Sequence, residues 1–329
     1  MHSSTSFQDR DVLPDPEFHL KLYKEVFLGK QHTNYVARRD TSNPVCISHK
    51  ESTEKDHLII RTKEKTEYIQ MRKNKEKRKG VFSFVPWGES NINRLLSEMG
   101  HPLSSERFRK VKAGWFQEFI LQTEKRISFK THKVGILYAD THRLEGPEQG
   151  EPPSPQYKSF LDIIGTEIKL ENWGFYNGGL DVTDNQTGET SVYTQFENFE
   201  MMFHVSTLLP SGERHRRLGN NTTLIVFNPQ NTEAEIKEMK TQQVHLVVEV
   251  VPLDKDRFNT VFYRKQKDSA GYAKERGDVL SRETRLGFLR RIVQEEQNVY
   301  KTGKHFDLFL RVREMHLNGL IERARHRST

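Results

Sequence analysis

The spacing of apolar residues changes several times along the chain, and each change predicts an element. Phe18, Leu20, Leu22, Tyr23, Val26 and Phe27 fall at helical intervals, with Gly29 as a stop. Runs at 44–48, 58–61 and 67–71 read as strands. The stretch 72–79 (RKNKEKRK) holds six basic residues and one acid, and 81–85 is apolar again. This pattern reads as a charged loop between two strands, with weak peripheral contact to an anionic membrane as the sharper alternative. Residues 92–99 predict a helix ending at Gly100. Residues 115–122 (WFQEFILQ), dense in apolar side chains, read as a buried strand or strand pair.

A polar segment, 128–133, precedes a clear strand at 134–138, and a domain boundary is expected near residue 128. Residues 141–155 are rich in Pro, Gly and acids and read as a surface loop. Tyr157, Phe160, Leu161, Ile163 and Ile164 mark a helix closed by Gly165. A short strand at 168–170, a tight turn at Gly178-Gly179, and a hairpin over 191–196 and 200–205 follow. Residues 209–219 read as a basic loop, with Arg214, His215, Arg216 and Arg217 consecutive. A β-branched strand at 222–227 leads to Thr232-x-x-Glu235, a capping-box signature. Strands at 244–251 and 258–264 precede a helical end. There Leu286, Leu289, Ile292, Val293 and Tyr300 share one face, and Phe306, Phe309, Leu310, Leu317, Leu320 and Ile321 another. Strands alternating with helices predict an α/β layered domain. The expected organisation is a loose lead-in over 1–15, a smaller α+β domain over 16–128, and an α/β domain over 129–329.

Length and charge narrow the class. The 329 residues suit two domains, and Lys plus Arg exceeds Asp plus Glu by 52 − 45 = 7. The basic residues are interleaved with acids and form no nucleic-acid-binding motif, so nucleic acid is not an expected partner. No apolar run approaches the ~18 residues of a membrane span, and residues 1–15 lack an apolar signal core. Cys46 is the single cysteine and sits in an apolar strand pattern, where an inert buried thiol is expected. A cytoplasmic location follows as the default. The sequence holds no P-loop, no dinucleotide fingerprint, no zincin motif and no nucleophile elbow.

One stretch carries more. Three pieces recur in order: Gly178-Gly179-Leu180-Asp181; Met202-Phe203-His204-Val205-Ser206-Thr207 with Leu209-Pro210; and Arg217-Leu218-Gly219-Asn220-Asn221 before a strand. Together they resemble the catalytic domain of the Rap GTPase-activating proteins, a family that includes tuberin and the Ral-directed activators. The segment 23–35 resembles the start of the N-terminal dimerisation domain of the Rap-directed members, and 306–313 resembles the family's last helix.

The resemblance implies an α/β GTPase-activating domain with a smaller α+β dimerisation-type domain, and hence a homodimer. It implies chemistry performed in trans. Small GTPases hydrolyse GTP slowly because the attacking water is poorly oriented. Rap lacks the glutamine that usually orients it, and the family supplies an asparagine thumb whose carboxamide both donates and accepts. By its place in the motif, that residue is Asn220. The partner implied is a Rap-like small GTPase in its GTP state, with Rheb or Ral as runners-up. GTP and Mg²⁺ would be held by the partner, so the chain needs no cofactor of its own, and recruitment to membranes would follow the GTPase. Arg216, Arg217, Lys133, Arg311 and Arg313 match basic positions that contact the GTPase. Gly219, Gly178, Gly179, Asp181 and His204 match positions that support the site, His204 as a satisfied buried histidine and Asp181 as a turn residue. Arg217 stands where the family has histidine, and Asn221 where it commonly has aspartate. These departures bear on partner identity, and leave room for a module that binds a GTPase without stimulating it.

Overall fold

A computed structural model of the chain describes residues 15–38, 43–72, 91–111, 114–128, 130–139, 154–231, 243–266, 271–301 and 304–326. Among them, thirteen strands and seven α-helices form a mixed α/β architecture in two compact units. One unit combines Pro16–Ser128 with Lys304–Thr329; the other holds Phe129–Gly303. The expectations for residues 1–14, 73–85, 141–153 and the helix after Thr232 lie outside the described residues.

The first unit is built on α1 (Phe18–Val26), β1 (Thr33–Arg38), β2 (Pro44–Glu51), β3 (Lys55–Arg61), β4 (Thr66–Arg72), α2 (Asn91–Glu98), β5 (Arg109–Val111) and α3 (Trp115–Ile127). Its sheet is antiparallel throughout, in the order β4-β3-β2-β1-β5. Alternation along the strands sends Val36, Cys46 and Ile59 to one face and Ala37, Ile47 and Ile60 to the other. The first face meets Tyr23 of α1, Phe27 just after it, and Phe116 and Ile120 of α3; the second meets Ile92, Leu95 and Leu96 of α2. Covering on both faces explains the unbroken apolar run at Leu58-Ile59-Ile60. The helix α3 corrects the strand expected at 115–122. Phe116 and Ile120 lie four apart and are both fully buried, a helical spacing that the density of apolar side chains masks.

A charged pair is sealed inside this unit. Arg61 is fully buried, its Nε donates to the Glu124 carboxylate, and its Nη1 donates to Ser48 Oγ at 3.0 Å. Ser48 Oγ in turn donates to Asn34 Oδ1 at 2.7 Å. Cys46 lies nearby, and burial pushes its thiol up to about 11.

The second unit runs β6 (Thr131–Tyr138), α4 (Pro155–Ile164), β7 (Thr166–Lys169), β8 (Thr190–Phe196), β9 (Phe199–Val205), α5 (Ser211–Gly219), β10 (Thr223–Phe227), β11 (Leu246–Pro252), β12 (Phe258–Lys265), β13 (Tyr272–Arg276) and α6 (Arg285–Lys301). The sheet order is β13-β12-β11-β10-β6-β9-β8-β7. Its four central strands, β11, β10, β6 and β9, are parallel, with antiparallel strands on both flanks. On one face, Phe203, Val205, Ile225 and Val248 pack under α4 and α6 through Phe160, Ile163, Leu289 and Ile292. Leu286, read as part of the buried face of α6, is exposed, and Phe288 is buried instead. The opposite face receives Leu218 of α5.

The chain then returns to the first unit as α7 (Lys304–His326). Leu317, Leu320, Ile321 and Ala324 pack into the same core as Tyr23, Phe27 and Phe116. The sequence reading placed this helix with the domain beginning at 129; its apolar face is buried with residues 16–128 instead.

Candidate functional site

The basic segment expected as a loop is a helix, α5. Pro210 leads the chain in, Glu213 sits in the first turn, and Arg216 and Arg217 in the last. Each charge thereby opposes the helix dipole. The two arginines also meet Glu213 at one-turn spacing: Arg216 Nη2 and Arg217 Nε donate to the same carboxylate oxygen at 2.5 and 2.8 Å. These two bonds hold the Glu213 carboxyl below its usual range.

Gly219 is the last residue of α5, and Asn220 caps it with φ −93° and ψ 11°. This is the sparsely allowed bridge region, where many active-site residues sit. Asn220 is exposed, and among the described residues none hydrogen-bonds its carboxamide. Its neighbour does the opposite. Asn221 is fully buried, and its Nδ2 donates to the carbonyls of Arg217 at 2.7 Å and Leu218 at 3.2 Å. It thus satisfies carbonyls that the helix end leaves open. An aspartate there would set an acceptor against two acceptors. Behind it stands Gly135 of β6, where a Cβ would come within 3.1 Å of Asn221 Nδ2.

His204 of β9 completes the base. Phe203 and Val205 face the α4/α6 core, so His204 points to the α5 face. It is 1% exposed; Nε2 lies 3.1 Å from Gly178 O, and Nδ1 3.3 Å from Asn221 Nδ2. Nε2–H donates to Gly178 O, and Nδ1 faces both Asn221 Nδ2 and, at 3.4 Å, Arg217 O. Burial, reinforced by the charges of Lys133 and Arg217, pushes the imidazole down to about 4. It is therefore neutral at pH 7 and able to accept.

The Gly178-Gly179 turn is held from two sides. Both residues have positive φ, and a Cβ at Gly178 would meet Met202 Cγ at 3.0 Å and His204 Nε2 at 3.1 Å. Arg217 Nη1 donates to the carbonyl of Gly179. Next along the chain, Asp181 organises a loop. Its Oδ1 accepts from Thr183 N and Oγ1, and its Oδ2 from Asp184 N and Gln186 N, at 2.8–3.2 Å. Those donors hold its carboxyl down to about 2.

The basic residues expected on the docking surface separate into different situations. The Arg216 side chain is 62% exposed. Arg217 is largely covered, with its guanidinium committed to Glu213 and Gly179. Lys133, on β6 in register with Met202, is half-buried, and burial together with the Arg217 charge lowers its pKa. Arg311 and Arg313 lie on α7, in the other unit. Arg311 is exposed. Arg313 is buried and donates to Thr62 O at 2.8 Å and Thr66 Oγ1 at 3.0 Å, so it supports its own unit and offers no docking surface. Glu213 and Gly135 were not read as parts of the site, and Asn221 was read only as a departure from the family's pattern. Glu213 carried a signal, its i, i+3 and i, i+4 spacing to two arginines, visible once the segment is taken as a helix.

Among the described residues, no group of three or more His, Cys, Asp or Glu could hold a metal ion, and no helix is long and apolar enough to cross a membrane. The site is a rigid neutral base under an exposed carboxamide, beside an exposed guanidinium.

The Rap/ran-GAP family model matches residues 148–305, ending where the second unit gives way to α7. The RapA guanosine triphosphatase-activating protein 1 of Dictyostelium discoideum is 30% identical over 67% of this chain and 22% of its own length. The signal-induced proliferation-associated 1-like protein 3 of Mus musculus is 25% identical over 92% of this chain and 18% of its own. The chain thus spans about a fifth of the length of either relative. A solved structure of the TSC2 GAP domain matches 50% of this chain and 92% of its own, at 21% identity and a TM-score of 0.40. Residues 148–305, with α5, Asn220 and the His204–Asn221 base among them, belong to the Rap/ran-GAP family.

Proposed function

We propose that this chain accelerates GTP hydrolysis by a Rap-like small GTPase and that Asn220 supplies the group that orients the attacking water. The observation that carries the reading is the contrast between two adjacent asparagines. Asn221 is buried with its Nδ2 directed into the helix end, while Asn220 stands exposed on top of it, with no hydrogen bond to its carboxamide among the described residues. A carboxamide that is both donor and acceptor can hold a water and face a phosphate oxygen. A rigid base limits the ordering cost of placing it. Arg216 supplies long-range attraction for an acidic partner surface. Arg217 acts as a brace, fixing the Gly179 turn to α5. Nucleotide and Mg²⁺ belong to the GTPase.

Single-turnover GTP hydrolysis by a purified Rap GTPase tests this. Asn220→Ala is expected to lower stimulation on the order of 10³-fold, the scale of other groups supplied in trans. GTPase binding should persist. Unchanged stimulation in the variant removes the thumb assignment. Binding by the wild-type chain with no stimulation would replace the activator with a binding module, and a panel including Rheb and Ral identifies the substrate.

A further inference from the structure

The loop that carries Gly178-Gly179 also carries the most exposed large apolar side chain among the described residues. Phe175 is 61% exposed. Scattered exposed apolar residues are normal and call for no explanation. Two features set Phe175 apart.

The first is order. Its ring packs against Trp173, with centroids 5.3 Å apart, and Tyr193, at 6.2 Å. The Trp173 indole donates to Tyr176 O at 3.2 Å, and the Tyr193 hydroxyl donates to Glu200 at 2.8 Å. The same carboxylate oxygen accepts from Tyr176 N at 3.2 Å. Further along, Asn177 Nδ2 donates to Leu180 O, and Gly179 N donates to Asn177 Oδ1. The ring is therefore presented to water on a braced loop.

The second is continuity with the site. Two hydrogen bonds fasten this loop to the elements under Asn220, His204 to Gly178 O and Arg217 to Gly179 O. Leu253, comparably exposed, lies at the β11–β12 turn. Immobilised aromatics near the centre of a contact carry disproportionate binding energy, because little freedom remains to be lost.

We propose that Phe175 is the apolar anchor of the surface that receives the GTP-loaded GTPase, inserting into an apolar patch of the partner beside the nucleotide. This rests on the proposed function above, and it assigns binding to Phe175 where Asn220 serves turnover.

The test uses the full chain and a Rap GTPase loaded with a non-hydrolysable GTP analogue. Phe175→Ala should weaken binding about tenfold or more, the range of an anchor residue. In stimulated hydrolysis it should raise KM by the same factor and leave kcat within about twofold. Phe175→Trp should restore binding, and Leu253→Ala should match wild type. Near-wild-type kcat at saturating GTPase also shows that the variant is folded. Wild-type affinity in Phe175→Ala overturns the anchor and leaves the thumb standing. A kcat loss at unchanged affinity overturns it too. A wild-type chain that neither binds nor stimulates the GTPase removes the functional reading and this inference together; Asn220→Ala separates the two, because it should lose kcat and keep affinity.

Discussion

In the first unit, Arg61 and Glu124 are an ion pair out of reach of water; in the second, His204 and Asn221 are neutral groups buried as deeply. Both clusters tie distant segments together, and both join a strand to a helix. The charged pair bonds inward, to Ser48 and through it to Asn34. The neutral cluster bonds to main-chain carbonyls at the edge of the unit, those of Gly178, Arg217 and Leu218, which belong to segments that reach the surface. A buried ion pair is a poor foundation for a surface group, since its desolvation penalty makes it sensitive to any change of partner. Neutral amide and imidazole groups give direction without that liability. The polar core of the first unit bonds within that unit; under the proposed function, that of the second aims a side chain.

The sharpest way to break this comparison is to remove one charge. Glu124→Ala leaves Arg61 buried without its counter-ion and should cost about 3–5 kcal/mol in chemical denaturation. Stimulation of GTP hydrolysis per folded molecule should be unchanged; a specific loss would show that the two clusters are not separate.

Acid probes the neutral cluster. An unfolded histidine titrates near 6.5, whereas His204 titrates near 4, so the unfolded chain binds the proton first. The contribution is intact above about pH 7 and declines as pH falls from 6.5 towards 4, by on the order of 3 kcal/mol in total. Comparing pH–stability curves for wild type and His204→Gln isolates it. Parallel curves would mean that His204 is not held neutral by burial.

The smallest effect sharpens the role of close approach. Gly178 and Gly29 both have positive φ, but a Cβ at Gly29 meets nothing within 4 Å. Gly29→Ala should cost about 1 kcal/mol from backbone conformation alone. Gly178→Ala adds the contacts with Met202 and His204, and should cost about 1 kcal/mol more. Equal melting shifts would show that the Gly178 turn yields without loss.

The hairpin of β8 and β9 was legible, and so was His204 as a buried histidine. Spacing in the second half was also clear enough to place α4 and its closure at Gly165. Two segments were misread for the same reason. In Trp115–Ile127 apolar and aromatic density hid a helical interval, and in Ser211–Gly219 consecutive arginines hid a Glu213 that pairs with them only on a helix. The opposite fates of Asn220 and Asn221 could not be read, because one residue type occupies both positions. What separates them is the carbonyl geometry at the end of α5. Phe175 was invisible as well, since nothing local distinguishes an aromatic that packs inward from one that remains in water.

The return of α7 to the first unit has a consequence for how this polypeptide is made. Residues 129–303 of the second unit are spliced between the two parts of the first. During synthesis the insert can acquire its structure early, while its host waits, with Tyr23, Phe27 and Phe116 uncovered, for Leu317 and Ile321 to leave the ribosome. A stop codon or protease nick shortly after residue 303 would therefore strike the half of the molecule made first.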